Sequence, residues 1–451
     1  MTLRQRVVVI GGGMAGARLA QQLDGADVDL TVLGEEPHAP YNRVLLADVL
    51  AGRYAPEVIA LPAVAARWKR AVRAVRIDRT ERRVICDDGS AQAYDTLVLA
   101  SGANPVLPPL RGLFTPGGGE LPEGVRAFRT MDDCLALGDQ VRTGTRAVVI
   151  GGGLLGVSAA RALARRGAQV VLAHQGERLM ERQLDDAAAA LLLRHLEELD
   201  VEVHTECRVR GLHTQHDGES DGNGKSDSPG APRSARSTTA AARSVRAVEL
   251  ADGYTLDADL VVLACGVRPR VGLAGAAGLE IARGVVVDDQ LRTSDPHVHA
   301  IGDCAEHAGV LYGLAGPAQE QADALARILT ADAAVTDAGV TDAGVTDADD
   351  SAPRYRGTRA LTRLTLAGDR RLPLDLAAFG EPTSQQDDDV VRLTDATRGT
   401  YRKVVVRDDR LVGGILLGDL AAVGTLARTW EGDELLPSEP LLHLLTHDGG
   451  S

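Results

Sequence analysis

Apolar positions along the chain fall into two kinds of run, and the two alternate. Residues 7–10 are a continuous β-branched stretch, a glycine-rich turn follows, and Ala15, Leu19 and Leu23 then share one helical face before a second continuous run at 28–33. A strand covered on both faces reads as an unbroken apolar run, whereas an amphipathic helix reads as a 3.6-residue repeat. The same order returns at 147–163 and 169–172, and further strands are expected at 94–105, 203–212, 245–250, 260–269 and 298–306. The pattern predicts an α/β chain with two similar units. Strand patterns at 361–366, 374–379, 401–406 and 411–417, with a helix around 420–430, predict a small α+β C-terminal domain over 354–445.

Two stretches interrupt this pattern. Residues 214–244 contain no Val, Ile, Leu, Met, Phe, Trp or Tyr, so a disordered insertion is expected there, with too little apolar surface to order. Residues 331–353 repeat VTDAG and then run into DADDSAP, which predicts an acidic flexible linker.

The turn after the first strand carries Gly11, Gly13 and Gly16, and the turn after its later copy carries Gly151, Gly153 and Gly156. Both fit G-x-G-x-x-G, where the glycines serve a tight turn, close backbone approach to a pyrophosphate and close packing of helix on strand. Such a triplet alone is weak in a chain with 50 Gly. Here a strand precedes it, a helix follows, and Glu35 stands where a ribose-binding acid is expected, with Glu36 as the competing carboxylate. After the second unit's strand the corresponding position is His174, which could tolerate a 2′-phosphate or face solvent without a role. In the first unit, Arg43 lies in the loop after Glu35 and Glu36, either neutralising phosphate charge or simply exposed. Ala100, Ser101 and Gly102 end an apolar strand with small residues that allow a ligand close to the backbone. Two dinucleotide sites in one chain suggest electron passage between two bound nucleotides, or one working site and one decayed copy.

Composition narrows the classes. A length of 451 residues and 44% hydrophobic content suit about three domains with sizeable cores. The net charge of −14 argues against a nucleic-acid partner, although several of the acids sit in the 331–353 stretch. No apolar run approaches a membrane span, and the first residues read as a strand and not a signal peptide. Cys86, Cys134, Cys207, Cys265 and Cys304 are scattered, without the spacings of a zinc ribbon, an iron–sulfur cluster or a vicinal redox disulfide. They read as reduced, buried thiols of a cytoplasmic protein, Cys304 included. No metal site is expected.

The order of the first glycine fingerprint, YDTLVLASGANP at 94–105, the second fingerprint, LVVLACGVRP at 260–269 and VHAIGDCAE at 298–306 resembles the two-dinucleotide flavoprotein reductases over roughly residues 5–330. EEPHAPYNRVLLADVLAG at 35–52, RLMERQLD at 178–185 and YGLAGPAQEQA at 312–322 look like the FAD/NAD(P)H part of the nitrite reductase large subunit and the electron-transfer subunit of assimilatory nitrate reductase. The resemblance implies two Rossmann-like domains of glutathione-reductase type. One is a discontinuous FAD-binding domain, 1–115 plus 285–330; the other, 116–284, binds NAD(P)H. FAD would lie on Gly11, Gly13 and Gly16, with Glu35 on its ribose, Arg43 and Ala100 to Gly102 beside it, and Gly302 and Asp303 at its ribityl and phosphate region. NAD(P)H would lie on Gly151, Gly153 and Gly156, near His174, with Gly266 and Arg268 on its far side; the family leans to NADH.

Two positions depart from relatives: Ser158 stands where many carry Glu, and Asp48 where ferredoxin reductases carry Lys. The resemblance implies a reductase that takes hydride from NAD(P)H and hands electrons to a separate protein, either a nitrate or nitrite reductase catalytic subunit or a small iron–sulfur protein, from a monomer or homodimer. A rubredoxin or ferredoxin reductase and an NADH oxidase are the neighbouring readings. A nucleotide-binding sensor or scaffold with a decayed second site is the reading from another class.

Overall fold

The computed structural model describes residues 4–115, 118–216, 243–337, 353–366, 374–395, 397–437 and 440–446. Its first sheet has five parallel strands in the order Val298–Ala300, Thr96–Leu99, Gln5–Ile10, Val28–Gly34, Arg67–Arg70. Val7, Val9, Leu97 and Val98 are wholly buried, as central parallel strands with covered faces must be. Helix Met14–Gln22 turns Leu19 and Ala20 onto this sheet. Helix Ala315–Asp337 packs beside it, and Arg18 and Asp323 join the two at 2.6 Å.

The second sheet repeats the design. Its parallel order is Val201–His204, Gln169–Ala173, Arg146–Ile150, Leu260–Leu263, Val125–Ala127, with helix Leu154–Arg165 on one face. A three-stranded antiparallel sheet, Val209–His216, Arg243–Leu250 and Thr255–Asp257, covers the other face through Val248, Leu250 and Leu256.

The C-terminal sheet is antiparallel, in the order Leu361–Leu366, Leu374–Gly380, Arg410–Leu417, Thr400–Arg407, Asp389–Asp395. Side chains alternate between its faces. Ala377, Phe379, Val404 and Leu416 pack under helix Val423–Gly432, while Leu376, Ala378, Tyr401 and Ile415 join the core that holds helices Leu154–Arg165 and Asp186–Glu197.

Several expectations change. Helix Ala315–Asp337 continues past the expected linker start at 331, since this alanine-rich stretch favours helix; residues 338–352 lie outside the described residues. Of the expected insertion, 214–216 and 243–244 are paired strand, with His216 opposite Arg243. Ladder hydrogen bonds need no apolar side chains, so the absence of apolar residues there does not end the strands; 217–242 lie outside the described residues. Ala274 and Leu279 bury in the first unit's core, so the helix Gly272–Ala276 sides with that unit, ahead of the expected boundary at 285. Strand Asp389–Asp395, not expected, is an edge strand with four exposed and three half-buried residues, which weakens its apolar signature.

Because His216 faces Arg243 across the hairpin, replacing 217–242 with Asn-Gly closes it with a favoured two-residue turn. Loop closure changes by only about 0.6 kcal/mol per doubling of length. The shortened protein should therefore keep its thermal midpoint within a few degrees in a scanning melt; failure to fold would show that the segment contributes to the core.

Candidate functional site

Within each glycine triplet the structure separates two jobs. Gly11 has φ +123, and a Cβ there would overlap the Ala100 carbonyl; a Cβ on Gly16 would overlap the Gly11 carbonyl. Gly151 and Gly156 repeat this against Ala264 and Gly151. These four glycines are required by the chain's own packing. Gly13 and Gly153 are different: their φ values of −77 and −82 suit any residue, and nothing lies within 4 Å of a Cβ at either position. Both are helix N-caps without a side-chain cap bond, so the first-turn amides of helices Met14–Gln22 and Leu154–Arg165 face outward. That is a site for phosphate, and the missing side chain leaves the approach open.

Both turns open into one cavity of about 1930 Å³. Single ligand sites usually occupy about 300–1,000 Å³, so this one has room for two dinucleotides. Gly11, Gly13, Glu35, Arg43, Ala100, Ser101, Gly102, Gly302 and Asp303 line one half; Gly151, Gly153, His174 and Gly266 line the other. Gly16 and Gly156 lie beneath their turns. Arg268 is exposed on strand Val267–Pro269 and does not line the cavity, whereas Arg270 does. Nine arginines and seven carboxylates are among the lining residues. In a chain of net charge −14, this concentrates positive charge where anionic ligands would sit.

On the first side, Glu36 accepts from Tyr41 Oη at 2.7 Å and pairs with Arg43, whose Nη1 donates to the Arg129 carbonyl at 2.8 Å. Arg129 in turn pairs with Asp303 at 2.5 Å. Burial works against the Arg43 charge, but Tyr41 and Glu36 outweigh it and raise its pKa; burial also pushes the Tyr41 phenol up. Glu35 is paired with Arg270 across the cavity. Sequence reading gave Tyr41 no role and missed Arg129 and Arg270. Arg129 lies in another part of the chain with no local motif to mark it, and Arg270 directly follows the 260–269 motif, in which the expected contact is Arg268.

On the second side, His174 Nδ1 accepts from the Gly152 N–H at 3.1 Å, so its ring braces the glycine turn. Its Nε2 is buried with no partner among the described residues. Ser158 lines the cavity, but its hydroxyl donates to the Leu154 carbonyl of its own helix at 2.7 Å. Asp48 is buried against Arg161 at 3.2 Å, outside the cavity lining. The two departures therefore leave no titrating pair between the sites. All five cysteines are free. Burial raises every thiol pKa, that of Cys134 to about 12, so none is a ready thiolate. The described residues include no group of three or more metal-binding side chains and no helix long and apolar enough to cross a membrane.

A family model for pyridine nucleotide-disulphide oxidoreductases matches residues 5–322, and one for the rubredoxin NAD+ reductase C-terminal domain matches 372–431. The chain is 32% identical over 425 residues to the assimilatory nitrate reductase electron transfer subunit of Bacillus subtilis (strain 168), covering 92% of this chain and 48% of that protein. It is 31% identical to a nitrite reductase [NAD(P)H] of the same organism, covering 92% and 46%. It thus spans about half the length of the curated relatives it matches. Among solved structures, putidaredoxin reductase in its covalent complex with putidaredoxin superposes with TM-score 0.77 at 23% identity over 99% of each chain. A ferredoxin reductase from Rhodopseudomonas palustris superposes with TM-score 0.74 at 26% identity over 94% of each.

Gly153→Ala should leave the melt unchanged yet weaken dinucleotide binding about tenfold, or ~1.4 kcal/mol, because its new methyl occupies only the ligand's approach. Gly156→Ala should instead cost about 1–3 kcal/mol of stability by overpacking. Calorimetric titration with NADH and NADPH, paired with thermal melts, separates the two; equal melts and equal affinities would refute the division of roles.

Proposed function

The chain belongs to the pyridine nucleotide-disulphide oxidoreductase family, and from that premise we propose that it is an FAD-dependent NAD(P)H oxidoreductase that passes electrons to a separate redox protein in nitrate or nitrite assimilation. The observation that carries the reading is the single cavity reached by two uncapped helix N-termini, each with a glycine that the fold itself does not require. FAD supplies hydride acceptance and onward release of electrons when bound.

The chain's residues hold and orient the two ligands. Gly13 and the amides behind it would take the FAD pyrophosphate, with Arg43 and Arg129 supplying charge. Glu36 is committed to Tyr41 and Arg43, which leaves Glu35 for the adenosine ribose once Arg270 yields. Gly302 and Asp303, held by Arg129, border the same half. Gly153, braced through His174 at Gly152, would take the NAD(P)H pyrophosphate. Bringing both ligands into one enclosure provides the orientation that hydride transfer needs.

Disulphide chemistry, despite the family's name, finds no support in five unpaired, raised-pKa thiols, which also suit a reducing compartment such as the cytoplasm. An iron–sulfur protein or a nitrate or nitrite reductase catalytic subunit is the partner class that the similar proteins favour. The intact geometry of the second turn argues against a decayed copy.

Under argon, NADH or NADPH should bleach the flavin of the loaded protein, and prior treatment with N-ethylmaleimide should not change the rate. Mass analysis of the released flavin should give FAD and not FMN. The chain alone should reduce an artificial dye but form no ammonium from nitrite. Absence of bleaching with both dinucleotides, or nitrite turnover above a flavin-only blank, would sink the reading.

A further inference from the structure

The loop 178–184 connects the second glycine turn to the C-terminal sheet. Met180 is 2% exposed and has φ +51, a left-handed conformation that residues with a Cβ hold only when their surroundings over-determine it. Its N–H donates to the Gly152 carbonyl at 2.9 Å, and its own carbonyl accepts from the Gln183 and Leu184 N–H groups at 2.8 and 2.9 Å. Glu181, Arg182 and Gln183 then line the cavity.

The loop's other end is fixed at Asp185. Its Oδ1 accepts from the Ala188 N–H at 3.1 Å and caps helix Asp186–Glu197. Its Oδ2 accepts from Tyr401 Oη at 2.6 Å and from Lys403 Nζ at 3.1 Å. Tyr401 and Lys403 stand two residues apart on strand Thr400–Arg407, so they project from the same face of the C-terminal sheet. They are 0% and 3% exposed. Burial opposes the Asp185 charge, yet Tyr401, the Ala188 amide and Lys403 hold its pKa below the usual carboxylate range.

Lys403 is buried and Asp185 half-buried, and an ion pair largely withdrawn from water is a poor source of net stability, because apolar replacements of similar volume are often neutral or better. What the pair does provide is one fixed position for Asp185. We propose that Tyr401 and Lys403 are positioning residues for the pyridine-dinucleotide half of the cavity: through Asp185 they hold loop 178–184 against the Gly152 carbonyl, so that the C-terminal domain sets affinity for NAD(P)H. The inference rests on the reading of that half given under Proposed function. It gives this domain a part in the hydride donor's binding without contact to the reacting atoms.

The test uses the full-length, flavin-loaded protein with Lys403→Met, Tyr401→Phe and Lys403→Arg. KM and kcat for NADH and NADPH in dye reduction, the Kd of ADP-ribose by calorimetry, flavin content and thermal midpoint are measured on each. Lys403→Met and Tyr401→Phe should raise KM and the ADP-ribose Kd about tenfold, within the usual range of coupling between distant sites, with kcat and flavin content unchanged. Lys403→Arg should restore most of the affinity. A lowered thermal midpoint with KM and Kd unchanged would overturn the proposal and leave the pair merely structural. If Lys403→Met fails to fold, Tyr401→Phe, which removes only the phenol hydroxyl that donates to Asp185, separates the same two outcomes. Wild-type flavin that neither dinucleotide bleaches would instead sink the reductase reading, and the two failures are told apart by the wild-type control.

Discussion

Two helix N-termini with free amides, aimed into a shared space, are the constraint on which the other features depend. Unsatisfied amide groups are expensive to bury and are normally capped by a side chain. Helices Met14–Gln22 and Leu154–Arg165 have no such cap, and their exposure to the cavity is sustained only by a tight arrangement beneath. Gly16 and Gly156 let each helix press onto the carbonyl of its turn, while Gly11 and Gly151 let the turn pass the end of the neighbouring strand. A methyl group at any of these four positions would push helix and strand apart and turn the amides away.

Around that constraint, on the first side of the cavity, Arg43 and Arg129 are held and not loose. Arg43 is fixed by Glu36 and the Arg129 carbonyl, and Arg129 by Asp303. The side chains are thus positioned before any anion arrives, which lowers the ordering cost of binding. At the two positions that depart from the expected pattern, this chain has a buried Asp48–Arg161 pair and, at Ser158, a hydroxyl bonded to its own helix. The pair joins helix Leu46–Leu50 of the first unit to helix Leu154–Arg165 of the second, so its polarity serves the contact between units and not the cavity.

The C-terminal sheet packs both its faces, one under its own helix and one onto the second unit. The second contact includes the only lysine among the buried polar residues of the described chain, Lys403, and places it on Asp185 at the end of the loop that touches the glycine turn. A domain that could have been an independent appendage is thereby connected to the binding half of the cavity through three consecutive hydrogen-bonded steps.

The sequence by itself determined what short-range periodicity and spacing can encode. The two glycine turns, their flanking strands and helices, and most of the C-terminal strands were legible because each is a local pattern with a strong steric requirement, such as the Gly11 and Gly151 left-handed turns. It could not show that Asp389–Asp395 forms an edge strand, since half-exposed side chains leave little apolar signal, or that Gly272–Ala276 packs with the first unit. Tertiary structure alone decided the pairings: Glu36 and not Glu35 holds Arg43, Arg270 and not Arg268 reaches the cavity, and His174 turns inward to the Gly152 amide. Each of these choices depends on which of several chemically equivalent side chains a distant segment approaches, and that distance is set by the packing of whole sheets and helices, not by any neighbour in the chain.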